Sequence, residues 1–453
     1  MSQKILTFLI LILFSSCYFN SNNKTSYFTG KIIKKTNDKI SILKDETILN
    51  ESFILDDGSF FMSIDSIKDG LYNFKHLPEF QYVLIENGDS LVIRLNAVDF
   101  DESLVFTGKG SSKNNFLIDV FLNHEYEESL LNTSLRDNSD NFKKTIDSLL
   151  KIKKLEFESF KKLKKSNKTS NLVIEYAIKL PLYSKTEAYI SGTKQNNEFT
   201  ITSNEFFDFR NNLNLNIEEL SNFKPYLDYI ILRTNNESGI DFNSYSNLDL
   251  QFNLDRIKFV NSTIKNPLIK SKVLRYIAFE YLLKENILID IDTFLNEFLE
   301  ISINEKTNLE IEQLYSNIAS LQEGNYLPKI ELTNVNDKTN LISDFISNKP
   351  IIYIFWSYDL NSHQISLFNR VFEYLKTNKK YNFHCININS NKDKWKESIK
   401  LIRKNNNIKH FIANDFNIMS KKMILNNLNK TIKTDKKGKI ISISDISKLN
   451  QSN

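Results

Sequence analysis

The chain has 453 residues, with 59 Lys and Arg against 55 Asp and Glu and a formal charge of +4. At 41% hydrophobic and 25% charged residues it can bury substantial cores, which excludes the compositionally disordered class. Its length corresponds to about three domains. The balanced charge excludes a nucleic-acid footprint, which needs basic residues gathered into a patch or stripe. Cys17 and Cys385 are the two cysteines. One lies in a segment expected to be processed and the other in a predicted strand, so neither a disulfide framework nor a Cys-based zinc site is expected. The histidines (His76, His124, His363, His384, His410) show no i, i+4 pair of a helical metal motif. The expectation is no metal and no cofactor.

Lys4 precedes the apolar run Ile5 to Phe14, and Ser15-Ser16-Cys17 follow. A basic start, a short apolar core and small residues before the cut describe a secretory signal over 1–16, too short for a membrane span. With Cys17 directly after two serines, the site resembles a bacterial lipobox, with Phe14 where leucine is commoner. That resemblance implies lipidation of Cys17 as the first mature residue. Residues 17–26 read as a polar tether.

Between 27 and 110 the pattern is short strands with turns, a β-rich domain. Ser52 to Leu55 and Ser59 to Met62 flank Asp56-Asp57-Gly58 and read as two strands about a turn. Tyr82 to Ile85 and Leu91 to Leu95 read as a second hairpin about Glu86-Asn87-Gly88-Asp89. Asp56, Asp57 and Asp89 fall in turn tetrads, where Asp and Gly serve backbone geometry rather than metal binding.

Over 111–325 the period becomes helical. Phe142, Ile146, Leu149, Phe157, Phe160 and Leu163 follow 3–4 spacing, interrupted at Lys153. Ile269, Val273, Tyr276, Phe279 and Leu283 do the same. The lysines from Lys151 to Lys165 read as a solvated helix face.

Over 326–453 strands and helices alternate, which implies a partly parallel sheet covered on both faces. The strands are Ile351 to Trp356 and Phe383 to Ile388. One helix carries Ile365, Phe368, Phe372 and Leu375, and another carries Trp395, Ile399 and Ile402. A final hairpin spans Thr431 to Ile443. The fold class is thus multidomain: an N-terminal all-β domain, an α-helical middle region and a C-terminal α/β domain.

Leu327-Pro328, Leu341-Ile342-Ser343-Asp344-Phe345, Lys349-Pro350, Phe355-Trp356 and Asp435-Lys436-Lys437-Gly438-Lys439-Ile440 together resemble the TlpA/ResA-like branch of the thioredoxin superfamily. Upstream, Asp99 to Ser103, Phe106-Thr107-Gly108-Lys109-Gly110 and Asn114-Asn115-Phe116 look like the β-rich domain that often precedes this module in lipoproteins of Bacteroidetes-type bacteria. The resemblance implies a C-terminal thioredoxin-like fold over 326–453 and a W-C-x-x-C motif a few residues after Phe355-Trp356. Those five positions hold Asp359, Leu360, Asn361, Ser362 and His363. Leu360 stands for the nucleophilic cysteine and His363 for the resolving one, while Asn429 stands at the family's cis-proline position. Exchange needs an attacking thiolate and a second thiol, and this degenerate active site has neither. Cys385, in a predicted central strand, reads as a small core residue.

These readings imply a redox-inactive thioredoxin-like domain and no enzyme activity, with a binding or scaffolding role in the cell envelope. The alternative is a TlpA-like thiol–disulfide oxidoreductase. The implied setting is a lipid anchor in a bacterial membrane, facing the periplasm, because no acidic cluster follows Cys17. The implied partner is an envelope protein or peptide held in the groove around Asp359 to His363 and Asn429, partly by backbone pairing at an exposed strand edge.

Overall fold

The structure, a computed structural model, describes residues 24–45, 47–164, 166–196, 204–238, 249–284 and 288–449. The expected signal segment, Cys17 and most of the tether lie outside the described residues. The chain divides into two compact units, Met1–Ile277 and Ala278–Asn453. The helical stretch expected over 111–325 is therefore shared between the units, and the division falls inside the helix Pro267–Leu282. No helix among the described residues is long and apolar enough to cross a membrane.

In the first unit, β1 (Ser26–Ile33), β4 (Ser59–Ile64), β7 (Ser90–Asn96) and β8 (Val105–Lys109) form a sheet in the order β4-β1-β7-β8. A second sheet joins β2 (Lys39–Lys44), β3 (Thr47–Phe53), β5 (Gly70–His76) and β6 (Glu79–Ile85) in the order β3-β2-β5-β6. Alternation along each strand sends Phe28, Ile42, Phe60, Phe74, Val83 and Phe106 into one shared core. Both expected hairpins are therefore corners between sheets. The Asp56-Asp57-Gly58 turn carries the chain from β3 to β4 and the Asn87-Gly88 turn from β6 to β7, and each pair of strands divides between the two sheets. The period of two reveals which side chains a strand buries, but not which strand it pairs with.

Helix α1 (Phe100–Ser103) precedes β8, and α2 (Ser111–Ser134) follows it. The junction is built from polar side chains. Lys113 is buried, with its Nζ 2.5 Å from Asp89 Oδ2 and 3.5 Å from Glu86 Oε1. Asn114 accepts from the Leu84 amide at 2.7 Å and donates to the Leu84 carbonyl at 2.9 Å. Asn115 does the same for Phe106, at 2.9 and 2.8 Å. Gly110 has φ +94°, and a Cβ there would come within 2.5 Å of the Asp89 carboxylate. Only glycine fits there. Asp89 keeps its turn role by accepting from the Glu86 amide, and Asp57 accepts from the amide and hydroxyl of Ser59.

The remaining helices of this unit are α3 (Ser139–Leu163), α4 (Lys168–Asn196), α5 (Lys224–Ser238) and α6 (Leu250–Thr263), and α7 (Pro267–Leu282) spans the division. The buried stripe of α3 is Phe142, Ile146, Leu150, Lys153 and Phe157. Lys153 thus continues the stripe instead of interrupting it, because Glu127 lies 3.0 Å from its ammonium. Leu163 is exposed and Leu149 half-buried. In α7 the buried residues include Ile269, Val273, Leu274, Ile277, Ala278, Tyr281 and Leu282, while Tyr276 is exposed, as is Leu283 just beyond the helix. Ile269 and Val273 of the expected stripe are buried, but its later members turn away from the core, because apolar residues crowd every side of that segment.

The second unit opens with α8 (Leu288–Ile301) and α9 (Glu305–Ser320). The strands β9 (Glu331–Asn334), β10 (Thr339–Leu341), β11 (Ile351–Trp356), β12 (Asn382–Asn387), β13 (Ile408–Ala413), β14 (Lys430–Thr434) and β15 (Ile440–Asp445) form one sheet. Its order is β10-β9-β13-β12-β11-β14-β15. β11, β12 and β13 run parallel, and β14 and β15 return antiparallel beside β11. With α10 (Asn361–Thr377) between β11 and β12, and β14-β15 closing the other side, this is the thioredoxin-like arrangement. β11 is buried along its whole length, as a central strand covered on both faces must be. It sends Ile352, Ile354 and Trp356 to one apolar layer with Leu367, Phe368 and Cys385. Tyr353 and Phe355 go to the other, with Phe411, Met419 and Ile432.

β9, β10, β13 and the short helix Phe416–Lys422 had no counterpart in the sequence reading. Lys409 and His410 break the apolar run of β13 near its start, which hides it. In α10 the buried face is Leu367, Phe368, Val371, Tyr374 and Leu375. Ile365, expected on that stripe, is exposed, because the face is set by 367, 371 and 374.

Candidate functional site

β11 delivers the chain to the site. It ends at Trp356, which is fully buried and stands edge-on to Phe368 at a centroid distance of 5.4 Å. The next four residues form a tight connection into α10. The Asp359 amide donates to Ser357 Oγ at 3.1 Å, and the Tyr358 amide donates to Asn389 Oδ1 at 3.1 Å. Asn389 in turn donates to Asp359 Oδ2 at 2.6 Å. Asn389 follows β12, so the loop is held by the neighbouring strand end.

α10 begins at Asn361, with Leu360 as its N-cap residue. A leucine cannot accept from the first-turn amides, and no side-chain cap bond forms there. Leu360 is 51% exposed, so the position expected to hold an attacking sulfur presents an apolar surface instead. Asn361 and Ser362 are exposed, and His363 is half-buried.

The structure brings His363 and Asn429 together. His363 Nε2 lies 3.3 Å from Asn429 Oδ1. They share a cavity of about 180 Å³ with Ser366, Leu367, Arg370, Asp445, Ile446 and Ser447. His363, Ser366 and Arg370 stand at helical spacing on one face of α10, while Asp445 ends β15 and Ile446 and Ser447 follow it. The amide and hydroxyl of Ser447 hold the Asp445 carboxyl below its usual range, with a further contribution from Arg370. A cavity of this size accepts one side chain or small group and is well below the ~300 Å³ at which whole-ligand pockets begin.

Backbone pairing at Asn429 is restricted. Its amide donates to Asn427 Oδ1 at 2.9 Å and its carbonyl accepts from Ile446 at 2.7 Å. Both backbone groups of Asn429 are thus engaged, so this residue offers no open strand edge. Asp359 is engaged by Asn389 and is not among the residues lining the cavity.

Cys385 is fully buried in β12, among Ile354, Leu367 and Trp395 in one apolar layer, and burial pushes its thiol well above the ordinary range. A thiol in that state is neither reachable nor nucleophilic. No group of three or more His, Cys, Asp or Glu among the described residues could hold a metal ion. Sequence reasoning missed Asn389 and Arg370. Asn389 carries no signal in a chain this rich in asparagine, but Arg370 was legible as the residue two helical turns beyond His363.

Comparisons with known protein families and with curated proteins find no match. Among solved structures, the chain is similar to the thioredoxin domain of a thiol-disulfide oxidoreductase from Bacteroides vulgatus. The identity is 15%, over 29% of this chain and 96% of that one, with a TM-score of 0.25. It is also similar to a thiol:disulfide interchange protein from a Bacteroides species, at 17% identity over 29% of this chain and 88% of that one, TM-score 0.25. A third is a conserved protein of unknown function from Bacteroides fragilis, at 12% identity over 29% of this chain and 97% of that one, TM-score 0.25. Strand order and register define the fold of the second unit here.

Proposed function

We propose that this chain is a cell-envelope lipoprotein, anchored through Cys17 and facing the periplasm, whose thioredoxin-like domain recognises a partner without thiol chemistry. One observation carries the reading. The helix start that would present a reactive sulfur presents Leu360, while Cys385, the one cysteine among the described residues, is enclosed in the sheet core. What remains open at that end is an exposed apolar side chain at the helix start, three residues before His363 of a polar, side-chain-sized cavity. Leu360 offers apolar contact, and Arg370, His363 and the two serines offer donors. An extended segment of an envelope protein that places one acceptor-bearing side chain into the cavity fits this chemistry.

Two measurements test the proposal. Insulin reduction by the full chain should not rise above the uncatalysed rate and should be unaffected by Cys385→Ser. Turnover abolished by that substitution would establish a thiol–disulfide oxidoreductase instead. Pull-downs from detergent-solubilised envelopes should recover a partner whose retention falls with His363→Ala and Arg370→Ala. Retention indifferent to both would remove the groove from the account.

A further inference from the structure

The outer face of the β4-β1-β7-β8 sheet has an unusual composition. Alternation fixes its members. They are Ser59, Phe61 and Ser63 of β4, Tyr27, Thr29, Lys31 and Ile33 of β1, Ser90, Val92, Arg94 and Asn96 of β7, and Val105, Thr107 and Lys109 of β8. The inner partners Phe28, Met62, Ile93 and Phe106 are all buried. On the outer face Phe61, Val105, Ile33, Tyr27 and Val92 are between 39% and 61% exposed, five large apolar side chains on one solvent-facing sheet surface. Tyr27 and Phe61 touch, with ring centroids 5.9 Å apart.

The polar members do not oppose an apolar contact. Thr29 donates to the Phe60 carbonyl at 2.7 Å and Thr107 to the Val92 carbonyl at 3.3 Å. The face holds no carboxylate. Its cations are Lys31, Arg94 and Lys109; Lys31 and Arg94 lie opposite each other in register and make no ion pair among the described residues, and Lys109 donates to the Gly88 carbonyl at 2.8 Å. Asp57, in the turn that leads into β4, accepts from Ser59 and is also stabilised by the charge of Lys31, so one carboxylate borders the face. Apolar side chains interspersed with cations that form no ion pair within 4 Å among the described residues suit a surface that is apolar below and anionic above, as a phospholipid headgroup layer is.

Chain length supplies the second argument. β1 starts at Ser26, nine residues after Cys17. At no more than ~3.5 Å per residue the start of this sheet lies within roughly 30 Å of an acyl chain on Cys17. β1 itself, eight residues long, extends a similar distance at about 3.3 Å per residue. The strand nearest the anchor is thus central to the apolar, cationic face. We propose that this outer face rests on the anionic membrane surface into which Cys17 is inserted. The anchor thereby fixes the orientation of the first unit as well as its location. This inference rests on the lipoprotein reading above.

The test uses the acylated full chain in vesicles of phosphatidylethanolamine and phosphatidylglycerol, with or without brominated acyl chains. The native tryptophans Trp356 and Trp395 are fully buried, so an added one reports its own surroundings. Phe61→Trp should give blue-shifted emission that brominated lipid quenches far more strongly than the emission of Tyr126→Trp, an exposed position on α2. Combining Phe61→Trp with Lys31→Glu and Arg94→Glu should reduce that quenching while fatty-acid labelling of Cys17 persists. A labelled protein whose added tryptophan is no better quenched at 61 than at 126 overturns the docking and leaves the anchor standing. Blue-shifted emission without quenching overturns it in favour of a second copy of the chain or a protein partner on this face. Absence of fatty acid on Cys17 overturns the anchor and the docking together.

Discussion

Lys113, at the start of α2, and His384, in β12, are both buried polar side chains, and the two units treat them in opposite ways. Lys113 is met by Asp89 and Glu86, and the neighbouring Asn114 and Asn115 close both backbone groups of Leu84 and Phe106. Every partner is polar, and the network fixes where α2 leaves the sandwich. His384 sits among Phe345, Tyr353 and Phe411, with ring centroids between 4.8 and 5.4 Å, and neither ring nitrogen has a hydrogen-bond partner. It is tolerated as an aromatic plate and held neutral. The first unit is specified by polar pins that admit one arrangement, and the second by apolar layers on both sides of a central strand.

Breaking a pin should therefore cost more than removing the plate. Lys113→Met leaves Asp89 buried without its cation and should destabilise the chain by ~3–5 kcal/mol, measured by denaturant unfolding followed by circular dichroism. A change under ~1 kcal/mol would mean that the network contributes little.

The plate should show itself through pH instead. Burial, with a contribution from Lys409, holds His384 at about 3 against an ordinary 6.5. Between those values the unfolded chain binds a proton that the folded chain refuses, so stability is full above pH 6.5 and falls as the pH drops. Between pH 6.5 and 4 the loss from this residue should be on the order of 3 kcal/mol. Trp356 and Trp395 both lie in this unit, so their emission follows its unfolding. His384→Phe should flatten the slope, and an unchanged slope would assign the acid sensitivity elsewhere.

Smaller effects sharpen the contrast. Asn114→Ala removes both partners of the Leu84 backbone and should cost ~2 kcal/mol. Leu360→Ala, at an exposed position, should alter stability by no more than ~0.5 kcal/mol while still weakening capture of a partner.

The same contrast explains what was legible beforehand. β11 and the β14-β15 hairpin stood out because a strand buried on both faces is a continuous apolar run and Asp435 to Gly438 is a strong turn. The sandwich strands were legible one by one, but their pairing was not, since the β3–β4 and β6–β7 turns look like hairpins and are corners. Lys153 was misread because a lysine in an apolar stripe looks like solvent until Glu127 is seen opposite it. At the site, Leu360 and His363 followed from counting beyond Trp356. The meeting of His363 with Asn429, and the exclusion of Asp359 from the cavity, depend on how β14 and the loop after β12 are placed in space.

The central claim, recognition at the groove without sulfur chemistry, is most directly tested by photocrosslinking in the native envelope. A photoreactive residue replaces Leu360 at the helix start, with the same residue at Ile365, also exposed but further along α10, as reference. The account predicts a discrete crosslinked partner from position 360, lost with Arg370→Ala and undiminished by Cys385→Ser, and none from position 365. Equal capture at both positions, or capture abolished by Cys385→Ser, would contradict it.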